Sequence, residues 1–488
     1  EIDISFFDSA DYLDAMQAVK NNANGFSNSV WNILTCINCG ISTVYSFLQL
    51  SKASTTVAIL VGLMSIPAAV INKRYVKKLF ECRIKLAPDA RMLGYLQSIT
   101  AQKAHAEDIR MFGFSDEIIK KYENSFQKII REENSIHLSG TVARAAFDGF
   151  SQFYVCLALL GLVYNICSGN MTVGDYSLYT GLISTLVASM SQLIYSITGI
   201  YEDRLKILSI IEFLDRKNLI KDTGTFVLSE IHDIEFKHVF FCYPSSKDST
   251  IHDLSVQIHA GEKIGIVGMN GAGKSTLIKL LLRFYDVTSG IILINGKDIK
   301  QYTLESLRMC FSTMFQTYDT YAFSLRENIV FSNYSSVCCS DKSVYEALSE
   351  VAGDNVLEKV KFNLDISVTK LFDPTGVEFS GGEKQKIGLA RALLRKSSVI
   401  ILDEPSAALD PFAENKLLDC IVNHSSGKII LFTAHRLSTI AIADRIIVIE
   451  GGTAVETGSH NELLCKHGKY ADIYEAQAQS FKQDQYEH

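Results

Sequence analysis

A glycine-rich stretch, GMNGAGKSTL from Gly268 to Leu277, has the spacing of a phosphate-binding loop. It fits the pattern G-x-x-x-x-G-K-[ST], in which glycines let successive backbone N–H groups point at an anion. Lys274 would place a cation at the β- and γ-phosphates, and the Ser275 hydroxyl can hold Mg²⁺. The loop residues that we expect to contact the nucleotide are Gly268, Asn270, Gly271, Ala272, Gly273, Lys274, Ser275 and Thr276.

The segments on either side of this loop are those that the pattern requires. The apolar run KIGIVG precedes it and reads as a buried strand, and TLIKLLLRF follows it and reads as a helix. A helix that begins directly after the loop directs its positive end at the bound anion. The context therefore favours a phosphate site over a chance run of glycines.

A second apolar strand ends in two carboxylates, in VIILDE from Val399 to Glu404. We expect Asp403 to join the coordination shell of Mg²⁺. Glu404 would sit beside the γ-phosphate and act as general base toward water. An apolar run that ends in two acids is weak evidence alone, but together with the glycine-rich loop it indicates hydrolysis of a nucleoside triphosphate.

The octapeptide FSGGEKQK, which starts at Phe379, resembles the signature of the ATP-binding cassette family. In order along the chain, further motifs match that family: FCYPS, TMFQTY, PTGVE (374–378), AALD (407–410) and TAHRLS. The resemblance covers about 245 residues, from Ile231 to near Gln477. It implies that Tyr243 stacks on adenine, that Gln316 reaches Mg²⁺, and that His435 contacts the γ-phosphate.

The signature also implies a partner. In this family two cassettes enclose two ATP molecules, so that Ser380, Gly381 and Gly382 would contact the nucleotide of the opposite chain. The signature has Phe379 and Glu383 where the commonest form has Leu and Gln, and the loop AALD begins with Ala where Ser is usual. These departures remove no catalytic group. The residues expected to act in hydrolysis are Glu404, His435 and Lys274, with Ser275, Gln316 and Asp403 at the metal.

The first half of the chain contains four long runs without charge: 21–51, 53–72, 149–174 and 176–201. A membrane-spanning helix needs about 20 mostly apolar residues, which predicts spans near 30–50, 53–72, 149–169 and 176–201. Ser, Thr, Asn and Gly recur within them, which is typical of helices that pack on one another or face a polar cavity. Buried helices of a soluble protein are the alternative interpretation.

Basic residues give the orientation of the predicted spans. Lys and Arg cluster directly after the second run, and the segment between the third and fourth runs has none. The positive-inside rule then places residues 73–148 and both chain ends in the cytosol. These residues would form two helical arms that reach about 50 Å from the membrane. By resemblance, 6–19 and 90–100 would be the coupling helices that dock on the cassettes.

The predicted architecture is therefore multi-domain: an α-helical transmembrane domain like that of an ABC exporter, over 1–215, a linker over 216–230, and an α/β P-loop cassette with a helical subdomain over 231–488. Exporters of this type usually have two more spans than the four found here. We expect the missing pair to precede residue 1, in about 100 further residues.

The predicted function is that of an ATP-driven exporter subunit in a bacterial plasma membrane, with its cassette in the cytoplasm. Its expected partners are a second half-transporter, membrane lipids and a transported peptide, lipid or drug-like molecule. A net charge of −7 argues against nucleic acid as a partner. Two alternatives stay open: a non-exporting ABC ATPase, and a regulatory nucleotide-binding partner in a heterodimeric transporter.

Overall fold

The computed structural model describes residues 3–53, 55, 58–59, 66–168, 172–216, 218–244, 246, 248–316, 320–331, 340–351, 353–405, 411–423, 427–433 and 437–484. The chain divides into two compact units, which are described separately below. The cassette unit combines Glu1–Asp8 with Asn218–His488, and the helical unit is Ser9–Lys217. A single helical turn, α1 (Ile4–Phe7), therefore belongs to the cassette unit.

The helical unit contains only helices and short turns among its described residues. Its helices are α2 (Ala10–Asn22), α3 (Gly25–Ala53), α4 (Ile66–Lys85), α5 (Ala87–Ala101), α6 (Lys103–Phe112), α7 (Ser115–Cys167) and α8 (Val173–Leu214). Two breaks have local causes. Gly113 ends α6 in the left-handed conformation, and Thr172 begins α8 with a reciprocal capping box to Asp175.

Helices α3 and α8 form a closely packed pair with polar residues between them. Asn32 Nδ2 donates to Asp203 Oδ2 at 2.8 Å, and Thr43 Oγ1 donates to Ser189 Oγ at 3.0 Å. A Cβ at Gly199 would lie 2.6 Å from the Asn32 amide nitrogen, so a larger residue there would displace the Asn32 side chain from its position next to Asp203. Small residues and interhelical hydrogen bonds are what holds helices together in a membrane, where apolar burial alone cannot.

Two of the described helices are long and apolar enough to cross a membrane, over Gly25–Lys52 and Val173–Leu214. Only 17% and 28% of their most apolar windows are buried, which is less than expected for core helices of a soluble protein. The third predicted span falls in the C-terminal part of α7, where a shorter apolar stretch covers Val155–Tyr164. Much of the second predicted span, 53–72, lies outside the described residues.

The predicted coupling helices both coincide with helical segments. Residues 90–100 lie inside α5, and 6–19 include the end of α1 and most of α2. The break between α1 and α2 occurs at Ser9, whose hydroxyl accepts a hydrogen bond from Tyr12 N and so caps α2. This N-cap lies at the boundary between the two units.

The cassette unit is built on two sheets. Its strands are β1 (Asp233–Cys242), β2 (Ser249–His259), β3 (Lys263–Val267), β4 (Ser289–Ile294), β5 (Lys297–Asp298), β6 (Phe311–Met314), β7 (Val399–Asp403), β8 (Ile429–Thr433), β9 (Arg445–Glu450) and β10 (Thr453–Gly458). An antiparallel sheet has the order β2-β1-β4-β5, and a mostly parallel sheet has the order β10-β9-β3-β8-β7-β6. Along β1 buried residues alternate with more exposed ones, except at Lys237 and His238, as expected for a strand with one covered face.

The helices of the cassette unit share hydrophobic cores with its sheets. They are α9 (Lys274–Leu281), α10 (Leu304–Met309), α11 (Leu325–Val330), α12 (Asp341–Glu350), α13 (Asp354–Lys359), α14 (Gly381–Leu394), α15 (Pro411–Asn423), α16 (Leu437–Ala441), α17 (His460–Cys465) and α18 (Lys469–Asp484). A 3₁₀ turn spans Ile299–Gln301.

The order of strands in the parallel sheet positions the chemistry. Every residue of β7 and β8 is buried, as expected for strands covered on both faces, and both are apolar up to their last residues, Asp403 and Thr433. Strand β8 pairs with β3 on one side and with β7 on the other. The carboxyl ends of β3, β7 and β8 therefore lie side by side, at the edge where open α/β sheets bind their ligands.

Candidate functional site

The glycine-rich loop connects β3 to α9 and can be formed only by glycine at two positions. A Cβ at Gly268 would lie 2.3 Å from the Ile449 carbonyl oxygen. Gly273 has a φ of +107°, and a Cβ there would lie 2.8 Å from the Ile251 side chain. The loop wraps tightly because it lacks side chains at these points. Its backbone then runs directly into α9, whose N-terminus points at the loop.

The loop forms one wall of a cavity of about 490 Å³. Its lining residues are Thr250, Asn270, Gly271, Ala272, Gly273, Lys274, Ser275, Thr276, Gln316 and Glu404. Seven of the eight predicted loop residues thus line one space. Gly268 forms the base of the loop at the end of β3. Thr250 was not predicted as a site residue, and its place on β2 gives no signal in the sequence.

Lys274 is the cation of this cavity and is 7% exposed. Its Nζ donates to the carbonyl oxygens of Gly268 at 2.7 Å and Met269 at 3.2 Å, so that the side chain folds back over its own loop. Burial lowers the pKa of Lys274, and the charges of Glu404 and Asp403 partly oppose this effect. The two carbonyl oxygens carry only partial negative charge. A phosphate group at the loop would supply a full negative charge to the Lys274 ammonium.

Asp403 and Glu404 occupy the end of β7, where Thr433 from β8 links them. Asp403 Oδ2 accepts from Ser275 Oγ at 3.1 Å, and Asp403 Oδ1 accepts from Thr433 Oγ1 at 2.6 Å. The same Thr433 oxygen accepts from the Glu404 N–H at 2.8 Å. Thr433 is fully buried, and the sequence analysis did not identify it. The signal that could have found it is its position at the carboxyl end of the neighbouring apolar strand.

Glu404 leaves the strand in a left-handed conformation, with a φ of +53°. For a residue other than glycine this backbone is strained, and such strain is common at functional sites. It turns the carboxylate toward Gln316, whose Nε2 donates to Glu404 Oε2 at 2.9 Å. Two residues 88 positions apart in the sequence thus lie at one side of the cavity.

The residues expected at a metal offer the correct donors for Mg²⁺. Ser275 and Asp403 are in direct contact, and Gln316 faces the same cavity. Hydroxyl, carboxylate and amide oxygens are the hard ligands that Mg²⁺ prefers. Among the described residues no group of three or more His, Cys, Asp or Glu could hold a metal alone.

Tyr243 follows β1 and is half-buried beside the phosphate loop. Its hydroxyl and the Thr276 hydroxyl are 3.0 Å apart, and Lys279 Nζ lies 5.5 Å from its ring centre. Edge-to-face contacts with Phe241 and Tyr285, at 4.9 and 5.2 Å between ring centroids, hold the ring in place. An aromatic ring held next to a phosphate loop is suited to stacking on a nucleotide base.

The signature residues occupy a different place from this cavity. Ser380 is the N-cap of α14, and Gly381 and Gly382 are the first residues of that helix. Ser380 and Gly381 are exposed, and none of the three is among the described residues that line the cavity. Two other predicted elements, His435 and the loop 407–410, lie outside the described residues.

Comparison with known proteins decides the family. A family model described as ABC transporter matches residues 251–407. The chain is 32% identical over 410 residues to the subtilin transport ATP-binding protein of Bacillus subtilis, covering 83% of this chain and 66% of that protein. This chain belongs to the ABC transporter family. The predicted class, a membrane ABC exporter that hydrolyses ATP, is confirmed.

Further ABC transporters match nearly the whole chain. The ATP-dependent lipid A-core flippase of Salmonella paratyphi A is 29% identical over 461 residues, covering 92% of this chain and 76% of the flippase. The corresponding flippase of Sodalis glossinidius is 29% identical over 488 residues, covering 98% of this chain and 81% of its own. The chain is thus shorter than each of these relatives.

The fold is that of an ABC exporter. The structure of a bacterial Atm1-family ABC exporter with ATP bound superposes with a TM-score of 0.75 at 24% identity, covering 95% of this chain and 80% of that one. The predicted fold class, a helical transmembrane domain followed by a P-loop cassette, is therefore confirmed. Like other members of the ABC transporter family, this protein binds ATP.

Proposed function

We propose that this ABC transporter is a half-transporter that hydrolyses ATP at composite sites between two cassettes and moves a substrate out of the cytosol. The observation that carries the proposal is a separation within one chain. Lys274, Ser275, Gln316 and Glu404 line one cavity, whereas Ser380 lies elsewhere, exposed at the start of α14. A signature exposed in this way is available to a nucleotide on a second chain.

We assign the nucleotide contacts as follows. The backbone N–H groups of the loop bind the phosphates, and Tyr243 stacks on the adenine. On binding, the Lys274 ammonium exchanges the carbonyl oxygens of Gly268 and Met269 for phosphate oxygens. This exchange restores a full opposite charge to a buried cation, and it therefore stabilises the bound state.

Hydrolysis would take place at the γ-phosphate beside the Glu404 carboxylate, where water would attack the phosphorus and ADP would leave. Mg²⁺, held by Ser275, Asp403 and Gln316, would neutralise charge on the β- and γ-phosphates. Glu404 accepts the proton of the attacking water, and Gln316 orients the Glu404 carboxylate through the contact described above. We assign His435, through the family resemblance, to the γ-phosphate.

We further propose that the membrane domain covers 1–215, that 216–230 is a linker, and that 231–488 is the cassette. The protein would be multi-pass in a bacterial plasma membrane, with its cassette in the cytoplasm. Its second half would be an identical or a related chain. Relatives named for subtilin transport and for lipid A-core flipping support an amphipathic cargo, a peptide or a lipid, with drug-like molecules as a third class.

The experiment is to reconstitute the complete transporter in proteoliposomes and measure phosphate release from MgATP with candidate cargos. Lantibiotic-like peptides, lipopolysaccharide precursors and lipophilic cations form three arms. We expect one class to stimulate turnover and to accumulate in inside-out vesicles in the wild type but not in Glu404→Gln. Turnover without accumulation of any class would favour a non-exporting ATPase. Nucleotide binding without turnover would favour a regulatory partner in a heterodimer.

A further inference from the structure

The two unusual residues of the signature contact the same lysine. Lys359, the last residue of α13, places its Nζ 2.8 Å from Glu383 Oε2 and 5.3 Å from the centre of the Phe379 ring. Phe379 is buried and Glu383 is largely buried, at 13% exposure of its side chain. Where the commonest signature has Leu and Gln, this chain therefore has an aromatic ring and a carboxylate that share one cation.

The carboxylate also holds the start of the signature helix. Glu383 Oε2 accepts from the Ser380 N–H at 2.7 Å, and Ser380 Oγ accepts from the Glu383 N–H at 3.3 Å. This reciprocal capping box fixes the Ser380 side chain on α14. The Ser380 hydroxyl also hydrogen-bonds the Glu383 carboxylate, so both polar groups of Ser380 are held by Glu383.

Glu383 is ionised in this arrangement. Partial burial alone would raise the pKa of its carboxyl, but hydrogen bonds from Lys359 and from Ser380 outweigh burial and hold the pKa below its usual value. A full negative charge therefore stands within one helical turn of Ser380 and Gly382. Such a charge would repel the γ-phosphate of an ATP molecule that approaches the end of α14.

We propose that Lys359 is a positioning residue of the composite ATP site, which neutralises Glu383 and packs on Phe379 so that this signature can accept the partner's γ-phosphate. The inference rests on the proposed function, in which Ser380 serves the nucleotide of the opposite chain. Lys359 contacts no nucleotide itself and acts through Glu383. Glutamine in place of Glu383 would make the cation unnecessary, because an amide caps the helix without a charge.

The test is a double-mutant cycle in the complete transporter, with MgATP as the probe. In Lys359→Met the KM for ATP should rise roughly five- to tenfold while kcat changes little, because the unneutralised charge opposes ATP-driven closure. The increase should shrink at high salt, where the charge is screened. In the Glu383→Gln background the same Lys359→Met change should alter KM by less than about twofold. Lys359→Arg should retain the original KM.

A matched control is Lys342→Met, which removes an exposed lysine paired with Glu346 on the neighbouring α12 and should leave the KM unaltered. Thermal unfolding of all variants shows whether a change in KM comes from a loss of stability. An equal rise in KM with and without Glu383 would overturn the inference, as would an unchanged KM in Lys359→Met. Failure of the proposed function has a different readout: hydrolysis that survives Ser380→Arg rejects the trans site whatever Lys359 does.

Discussion

Tyr285 donates a hydrogen bond from its hydroxyl to Asp8 Oδ2 at 2.7 Å. The tyrosine is 4% exposed, whereas Asp8 is exposed and ends the N-terminal segment of the cassette unit. Burial, together with the Asp8 carboxylate, strongly raises the pKa of Tyr285, so the hydroxyl keeps its proton and stays a donor. Since the Tyr285 ring packs edge-to-face on Tyr243, the N-terminal segment contacts the wall of the proposed adenine site.

The first prediction concerns this aromatic wall. Tyr243→Ala should weaken ATP binding by ~1–3 kcal/mol, the usual contribution of one base–aromatic stack. Binding of inorganic tripolyphosphate, which has no base, should be nearly unaffected. Tyr285→Phe is the matched control, because it keeps the ring and removes only the bond to Asp8; its loss should stay below about 1 kcal/mol. Isothermal titration calorimetry of both variants, each with ATP and with tripolyphosphate, measures the four affinities. Equal losses for both ligands would mean that Tyr243 supports the phosphate loop instead.

The second prediction addresses the general base. Glu404→Gln should still bind ATP, because the phosphate loop is intact and the amide can still accept from Gln316 Nε2. Steady-state phosphate release should fall by a factor of about 10² to 10⁴, since an amide cannot take a proton from water. The variant should accumulate as an ATP-bound closed dimer, detectable by cross-linking. Turnover near that of the wild type would reject Glu404 as the base.

The third prediction tests the buried hydroxyl of Thr433. Thr433→Val keeps the shape of the side chain but removes the donor to Asp403 and the acceptor for the Glu404 N–H. We expect the free energy of unfolding to fall by ~1–3 kcal/mol, because the buried Asp403 carboxylate and Glu404 N–H lose their partner. The kcat for ATP hydrolysis should fall as well. Thr433→Ser keeps the hydroxyl and should retain both the free energy of unfolding and the kcat of the wild type. A loss of stability and turnover in Thr433→Ser, with none in Thr433→Val, would show that the methyl group matters and the hydroxyl does not.

The fourth prediction follows from the lowered pKa of Lys274. Phosphate oxygens favour the charged ammonium, so ATP binding should raise this pKa and draw a proton from solution when the free lysine is partly neutral. Affinity for ATP should therefore be full below the pKa of the free protein and decline as pH rises through it, at a pH below that of an ordinary lysine. Calorimetry in buffers of different ionisation enthalpy measures the proton uptake. In Lys274→Arg, which stays charged, proton uptake on ATP binding should vanish. Proton uptake that persists in this variant would assign the proton to another group.

The fifth prediction separates the two sides of a composite site. Ser380→Arg should abolish hydrolysis but leave ATP binding to the phosphate loop, because the signature serves the opposite chain. In a mixed dimer with Lys274→Ala, one site carries both changes and the other carries neither. About half of the wild-type turnover is expected if the sites work independently. Complete loss in every mixture, measured on tandem-purified dimers, would contradict independent trans sites.

Local sequence was sufficient for the elements that bear the chemistry. The loop from Gly268 to Thr276 could be predicted because its glycines satisfy short-range steric demands, and VIILDE because a strand covered on both faces has a continuous apolar pattern. The third predicted span was harder, because α7 runs without interruption from a charged arm into an apolar end and nothing local marks the boundary. The second span falls largely outside the described residues.

Thr433 and Lys359 could not be found in this way. Lys359 has an ordinary local pattern, and Thr433 is marked only by its place at the end of an apolar strand. Each acquires its contacts only when distant segments meet: Thr433 when β8 pairs with β7, and Lys359 when its ammonium group reaches Glu383 of α14. The same holds for Asp8 and Tyr285, which are 277 positions apart. Spacing along the chain carries no information about such pairs.

The sequence by itself determined the family, the loop that wraps a phosphate and the identity of the acids at the end of β7, because these depend on residue type at short spacing. Tertiary structure decided how Asp403 and Glu404 are linked through Thr433, and that Lys359 contacts the signature's Glu383. The physical reason is range. Steric fit and hydrogen bonding within a loop or strand are settled by neighbours in the chain, whereas the charge and hydrogen-bond partners of a buried group depend on which elements fold against it.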